Sequence, residues 1–92
     1  MRDFLVHNGQ DNVGVVVRDV KAGESLAGET IDKSAAFRLT AGHDVPLGHK
    51  IALKDFKPGD TVVKYGEDIG KVVAAIHAGE HVHVHNLKTK RW

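Results

Sequence analysis

Apolar and polar residues alternate over short stretches along most of the chain, and glycine, asparagine, aspartate or proline bounds these stretches. This two-residue period, with frequent valine, isoleucine and threonine, is typical of β-strands. The pattern predicts eight short strands, at residues 4–7, 12–17, 25–31, 36–39, 50–53, 61–65, 71–75 and 80–85. Helical periodicity is weak, and residues 32–38 could hold one helical turn, although the alternation of Phe37, Arg38 and Leu39 favours a strand in their second half.

Two stretches, residues 17–26 and 53–62, share one turn pattern. In each, a strand end is followed by Asp, an apolar residue, Lys, a turn containing glycine, an acidic residue and a new strand. The apolar residue can pack under the sheet, while glycine permits a tight reversal of the chain. Residues 76–80 could form a third such turn. The pattern therefore predicts a small, turn-rich β protein.

Composition narrows the possible functions. The 92 residues suit one domain, residues 1–92, that is too small to enclose an active-site cavity of its own. Thirteen Lys and Arg against 12 Asp and Glu leave a formal charge of +1, which argues against nonspecific nucleic-acid binding. The absence of cysteine excludes disulfides, a thiol nucleophile and a thiolate zinc site. Neither a signal peptide nor an apolar run of the ~20 residues that span a bilayer is visible, so we expect a cytoplasmic protein and no membrane partner.

The most unusual feature is the histidine-rich strand at residues 81–85. Alternation places His81, His83 and His85 on one face of the strand, with Val82 and Val84 on the other. Imidazoles at this spacing can form half of a metal site for Fe(II), Mn(II) or Zn(II), with the missing ligands supplied by a partner. The alternative is a solvent-facing histidine stripe without a role, or with an accidental affinity for nickel.

His49 and Lys50 are the second candidate, because the preceding Pro46 and Gly48 form a turn that could present an imidazole and an ammonium group to an anionic substrate. Alternatively, His49 satisfies the loop backbone and Lys50 is solvated. His7, His43 and His77 lack a partner motif and are interpreted as structural or surface residues.

Residues 65–70 have the form of a hairpin turn in which two glycines bracket two acids. Glu67 or Asp68 could be a metal ligand or a general base, whereas a turn that requires polar residues explains at least one of them. Lys88, Lys90 and Arg91 form a basic tail. The tail could bind a substrate carboxylate or sulfonate, dock on a partner through Trp92, or be a solvated end.

A family resemblance adds to these interpretations. Residues 17–26 resemble the SAF domain, a β-clip module, and residues 44–53, 64–70 and 79–89 look, in this order and spacing, like the N-terminal domain of altronate and galactarate dehydratases. The resemblance covers nearly the whole chain. It implies a mainly β, SAF-like β-clip fold, a compact barrel-like sheet with at most one or two short helical turns.

In those dehydratases the module is fused to a large catalytic region, whereas this chain stops at Trp92 and is similar to the free-standing small subunits of the sulfolactate sulfo-lyase branch. The resemblance implies a hydroxyacid lyase that releases sulfite and pyruvate, inactive without its large subunit, whose substrate is a small anionic hydroxyacid. A homo-oligomer of the isolated chain is also possible. The alternatives are a sugar-acid dehydratase small subunit, a non-catalytic SAF binding or assembly module, and a free-standing metal-binding protein.

The expected site residues follow from these interpretations taken together. We expect a divalent metal, Fe(II) or Mn(II), whose coordination the large subunit completes. The predicted catalytic residues are His83, His85 and His49, the predicted substrate-binding residues are Lys50, Asn86 and Lys88, and the predicted metal ligands are His83, His85, His81 and Glu67.

Overall fold

The computed structural model describes residues 2–64, 67–83 and 87–89, with the backbone alone for residues 64, 67 and 87–89. These residues form nine short strands and no helix, so none of them belongs to a helix that could cross a membrane. The mainly β fold expected from the sequence is therefore confirmed. The strands are β1 (Phe4–Val6), β2 (Val13–Val16), β3 (Ser25–Thr30), β4 (Ala36–Thr40), β5 (Lys50–Ala52), β6 (Thr61–Lys64), β7 (Glu67–Val72), β8 (His81–Val82) and β9 (Leu87–Thr89).

Six strands form one curled sheet in the order β4-β3-β1-β2-β5-β8, and three form a second sheet in the order β6-β7-β9. β5 pairs in antiparallel fashion with both β2 and β8. In the pairing of β5 with β8, Lys50 lies opposite Val82 and Ile51 opposite His81. The chain just before β5 and the chain just after β8 therefore meet at the same end of this strand pair.

The described part of the chain has an interior of two apolar clusters. The first contains Phe4, Val6, Val16, Val20, Leu26, Ala41, Val45 and Ile51. The second contains Val13, Ala52, Phe56, Val62, Val72, Ile76 and Val82. Ile51 and Ala52 are neighbours in β5 but belong to different clusters, because successive side chains of a strand point to opposite faces. β5 thus separates the two halves of the core.

Four segments of the chain adopt the same turn, at residues 17–25, 42–50, 53–61 and 73–81, here named turns A, B, C and D. In each turn the fourth residue is apolar and buried, and the seventh is a glycine with φ between 84° and 95°, where residues with a Cβ are strained. The buried residues are Val20, Val45, Phe56 and Ile76, and the glycines are Gly23, Gly48, Gly59 and Gly79. The sequence predictions for turns A, C and D are confirmed, and turn B was missed.

The turns pair, A with B and C with D, through backbone hydrogen bonds between their buried apolar residues. The aspartate at the third position accepts a backbone N–H from the opposing turn. Asp19 accepts from Leu47, Asp44 from Ala22 and Asp55 from Ala78. Turn D has alanine at this position, and the opposing residue of turn C is Pro58, which has no N–H to donate. An aspartate therefore occupies the third position of a turn wherever the opposing turn offers it a backbone N–H.

Arg18 ties turn A to the N-terminal strand. Its guanidinium donates to the carboxylates of Asp3 and Glu24, and Asp3 also accepts the backbone N–H of Ala27. The hydrogen bond from Ala27, with Arg18 as a further contributor, lowers the pKa of Asp3, and the hydrogen bond from Arg18 is the main cause of the lowered pKa of Glu24. Both carboxylates are thus stabilised in the charged form that the pairing requires.

Three sequence predictions differ from the structure. The strand predicted at residues 71–75 begins at Glu67 and ends at Val72, so residues 67–70 are paired strand and not the polar part of a turn. The strand predicted at residues 80–85 is described as His81–Val82 only. Lys88, predicted as part of a basic tail, lies in β9, which pairs with β7. Pairing with a distant strand, which local sequence does not reveal, explains the first and third differences.

Candidate functional site

Among the residues that the structure describes, three imidazoles meet where β5 begins and β8 ends. His49 directly precedes β5, His81 is the first residue of β8, and His83 follows two residues later. One ring nitrogen from each residue can be chosen so that all three lie within 4.8 Å of one another. We refer to His49, His81 and His83 as the histidine cluster.

The rings of the cluster are in direct contact. The ring centroid of His49 lies 4.7 Å from that of His83 and 5.0 Å from that of His81, while the rings of His81 and His83 stack at 5.2 Å with an angle of 12° between their planes. Nδ1 of His49 lies 2.9 Å from Nε2 of His81. His49 and His81 are half-buried and His83 is exposed, so the cluster is accessible from the side of His83.

Strand alternation and register explain why the three rings share one face. His81 lies opposite Ile51, which faces the first apolar cluster, whereas Val82 is buried in the second. Continuing the ladder by one residue places His49 opposite His83. The prediction that His81 and His83 share a face opposite Val82 is therefore confirmed by their stacked rings.

The side chain of His49 does not have to cap turn B, whereas the residues at the same position of the other three turns cap theirs. The eighth residue of turns A, C and D is an acid whose carboxylate accepts the backbone N–H three residues earlier. These pairs are Glu24 with Lys21, Asp60 with Lys57, and Glu80 with His77. In turn B the residue three positions before His49 is Pro46, which has no N–H. An imidazole can occupy this position without leaving a donor unsatisfied.

The backbone around His49 is nevertheless fixed. The N–H of His49 donates to the carbonyl of Pro46 at 2.9 Å, and its carbonyl accepts the N–H of Val16 at 3.0 Å. The N–H of Gly48 donates back to the carbonyl of Val16 at 3.0 Å. These bonds hold the start of β5 against β2, so the cluster stands on a hydrogen-bonded part of the sheet.

His43 supports the cluster and was missed at the sequence level, where it was interpreted as a structural or surface residue. Nδ1 of His43 accepts the backbone N–H of His81 at 3.2 Å, which requires an unprotonated Nδ1. Nε2 of His43 lies 3.6 Å from a carboxylate oxygen of Glu80. No local pattern in the sequence indicates this role, because it depends on the approach of turn B to β8.

The structure does not bring every predicted residue to the cluster. Lys50 lies opposite Val82 in the ladder, so its side chain leaves the sheet from the face opposite His49. The carboxylate of Asp68 accepts the N–H of Gly70, a local structural role. For Glu67 and Lys88 the backbone alone is described, in β7 and β9. The predictions for His85, Asn86, Lys90, Arg91 and Trp92 lie outside the described residues.

The arrangement supports three kinds of chemistry. Neutral imidazoles offer lone pairs to a transition metal, exchange protons near neutral pH, and donate N–H groups to an anion. The close approach of three rings from two strands is more specific than the single-strand stripe that the sequence suggested. Its accessible side makes the cluster suitable for contact with a substrate or a second protein.

Comparisons with known proteins agree on one family. The model for the altronate/galactarate dehydratase SAF domain matches residues 2–90. The (2R)-sulfolactate sulfo-lyase subunit alpha of Chromohalobacter salexigens is 50% identical over 98% of this chain and 97% of its own length. The corresponding subunit of Paracoccus pantotrophus is 66% identical over 61% of this chain and 84% of its own length.

A more distant similarity extends to larger enzymes. The altronate dehydratase of Bacillus subtilis is 40% identical over 97% of this chain, which corresponds to 17% of that protein. The match covers the cluster and the four turns in this chain, and it leaves most of the larger enzyme without a counterpart here.

Proposed function

Because the chain belongs to the altronate/galactarate dehydratase SAF family, we propose that it is the alpha subunit of a (2R)-sulfolactate sulfo-lyase that works with a separate large subunit in the cytoplasm. The main support is the 50% identity with an alpha subunit of that name over 97% of the relative's length. The similarity to altronate dehydratase is lower and covers a small part of that enzyme. The proposal therefore assigns a lyase function and a partner.

The chemistry of this reaction needs more than one functional group. A base removes the proton from the carbon next to the carboxylate, the neighbouring carbon–sulfur bond breaks, and its electron pair leaves with sulfite. The enol that remains becomes pyruvate. Negative charge builds up on the carboxylate during proton removal, and a metal ion or positioned hydrogen-bond donors stabilise such charge. The base must lie within about 3 Å of the proton.

We assign the histidine cluster to one side of a shared reaction centre. His83 is exposed and His49 and His81 are half-buried, so the rings can face a partner while the sheet holds them. A 92-residue chain without helices in its described part has little capacity to enclose a substrate. In this proposal the general base and the rest of the pocket come from the large subunit.

The choice of substrate is tested with the complex of this chain and its large subunit. We expect the complex to release sulfite and pyruvate from (2R)-sulfolactate, measured colorimetrically and by coupled lactate dehydrogenase, and to leave altronate unchanged. Neither subunit alone should convert (2R)-sulfolactate. Dehydration of altronate by the complex would instead favour the sugar-acid dehydratase alternative, and turnover by this chain alone would contradict the shared site.

The role of the cluster is tested with His49→Ala and His83→Ala in the same complex. Each change should lower the rate at least roughly tenfold, as loss of groups at or beside a catalytic centre commonly does. The variant subunits should still co-elute with the large subunit. His49→Ala should fold normally, because Pro46 has no backbone N–H that the side chain of residue 49 would have to accept. His77→Ala, whose exposed ring lies outside the cluster, is the control. Unchanged rates would identify the chain as a non-catalytic assembly module.

A further inference from the structure

The geometry points to a metal site formed by this chain itself: we propose that His49, His81 and His83 bind one divalent transition-metal ion and leave coordination positions open. Imidazole ligands of such ions lie about 2.0–2.1 Å from the metal, so two of them are about 2.9 Å apart at 90° and about 3.3 Å apart at the tetrahedral angle. The 2.9 Å between Nδ1 of His49 and Nε2 of His81 fits this range.

The third ring completes the set after a small movement. All three ligand atoms lie within 4.8 Å of one another, so the largest separation exceeds the expected one by no more than about 1.5 Å. Rotation about the side-chain bonds of the exposed His83 can supply a shift of this size. Two of the three ligand atoms are therefore already at ligand spacing, one just before β5 and one in β8, and His83 would complete the set. The same distance also fits a hydrogen bond between one protonated and one unprotonated ring nitrogen.

The type of ligand selects the type of ion. Three neutral imidazoles suit Zn(II), Co(II), Ni(II) or Fe(II), whereas Mg(II) and Ca(II) require oxygen ligands. Three protein ligands with a free position are also the arrangement of catalytic metal sites. His83 is the exposed member of the set, so an oxygen of an anionic substrate or a group from a partner could fill the remaining positions.

Neighbouring groups orient the ligands. The backbone N–H of His81 is held by Nδ1 of His43, and His43 in turn lies beside Glu80, whose other oxygen caps turn D. The backbone of His49 is fixed by turn B and β2. This support comes from the fold of the chain and not from the partner, so metal binding should occur in the isolated full-length chain. The proposed lyase function places the same ion beside the substrate, but metal binding does not depend on it.

The test is titration of the full chain, prepared without a histidine tag, with Co(II), followed by visible absorption. We expect one equivalent to bind, Zn(II) to displace it, and excess Mg(II) to have no effect. His49→Ala and His83→Ala should each weaken binding at least roughly 100-fold, more than the 10–100-fold typical of supporting residues, while His77→Ala should match the parent. Circular dichroism verifies folding, and His49→Gln replaces any alanine variant that fails to fold.

Two results would overturn the metal site. One is binding of Co(II) by the His49 variants with the affinity of the parent chain, which would indicate an incidental histidine stripe. The other is absence of one-equivalent binding in the folded parent. Either result leaves the lyase assignment to be judged by sulfite release from the complex, so the two proposals fail separately.

Discussion

Replacing Gly79 by alanine is expected to destabilise the folded chain by about 3 kcal/mol or more, which is a large part of the stability of a domain of this size. Gly79 has a φ of 88°, where a residue with a Cβ costs about 1–2 kcal/mol. The added Cβ would also overlap the backbone carbonyl oxygen of Thr40. A backbone atom cannot rotate away as a side chain can, so relief requires a shift of the chain that leads into β8.

The matched control is Gly23→Ala in turn A. Gly23 has nearly the same conformation, with a φ of 91°, but a Cβ there would meet no atom within 4 Å. Urea unfolding should therefore show a loss of about 1–2 kcal/mol for Gly23→Ala and a clearly larger loss for Gly79→Ala. Equal losses would show that the contact with Thr40 does not matter. Because His81 follows Gly79 by two residues, the folded fraction of this variant should also bind Co(II) more weakly.

Most of the strands could be predicted from the sequence because their information is local. Alternation of apolar and polar residues located β1 to β6 to within one or two residues. Turns A and C were recognisable from their shared order of aspartate, apolar residue, lysine, glycine and acid. Turn B was not, because Pro46 replaces the lysine and His49 replaces the acid. The same two substitutions make His49 available to the cluster.

The remaining features depend on non-local pairing. The start of β7 was assigned to a turn because two glycines bracket its acids, yet Gly70 pairs with both Val62 and Thr89. Alternation correctly placed His81 and His83 on one face, but the register of β5 against β8 was needed to add His49. The position of His43 depends on the approach of turn B to β8, which no local pattern encodes.

The other large effect is expected at Phe4, whose ring is fully buried against two glycines. A Cβ at Gly28 would overlap the ring of Phe4, and one at Gly14 would lie 2.8 Å from its Cδ2. Phe4→Ala should cost about 3–5 kcal/mol through the cavity it leaves. Gly28→Ala should lower the free energy of unfolding by about 3 kcal/mol through overpacking, and Gly14→Ala should lower it less. Gly9→Ala should leave it nearly unchanged, because a Cβ there has no atom within 4 Å.

The double variant Phe4→Ala with Gly28→Ala distinguishes steric overlap from other causes. If the ring of Phe4 is the reason that residue 28 must be glycine, removing the ring makes room for the added methyl group. The loss in the double variant should then be smaller than the sum of the two single losses by at least about 1 kcal/mol, measured by urea unfolding. Strict additivity would mean that Gly28 is required by the strand itself. Since β1 pairs with both β2 and β3, this contact sets the spacing of the sheet on which β5 and the histidine cluster rest.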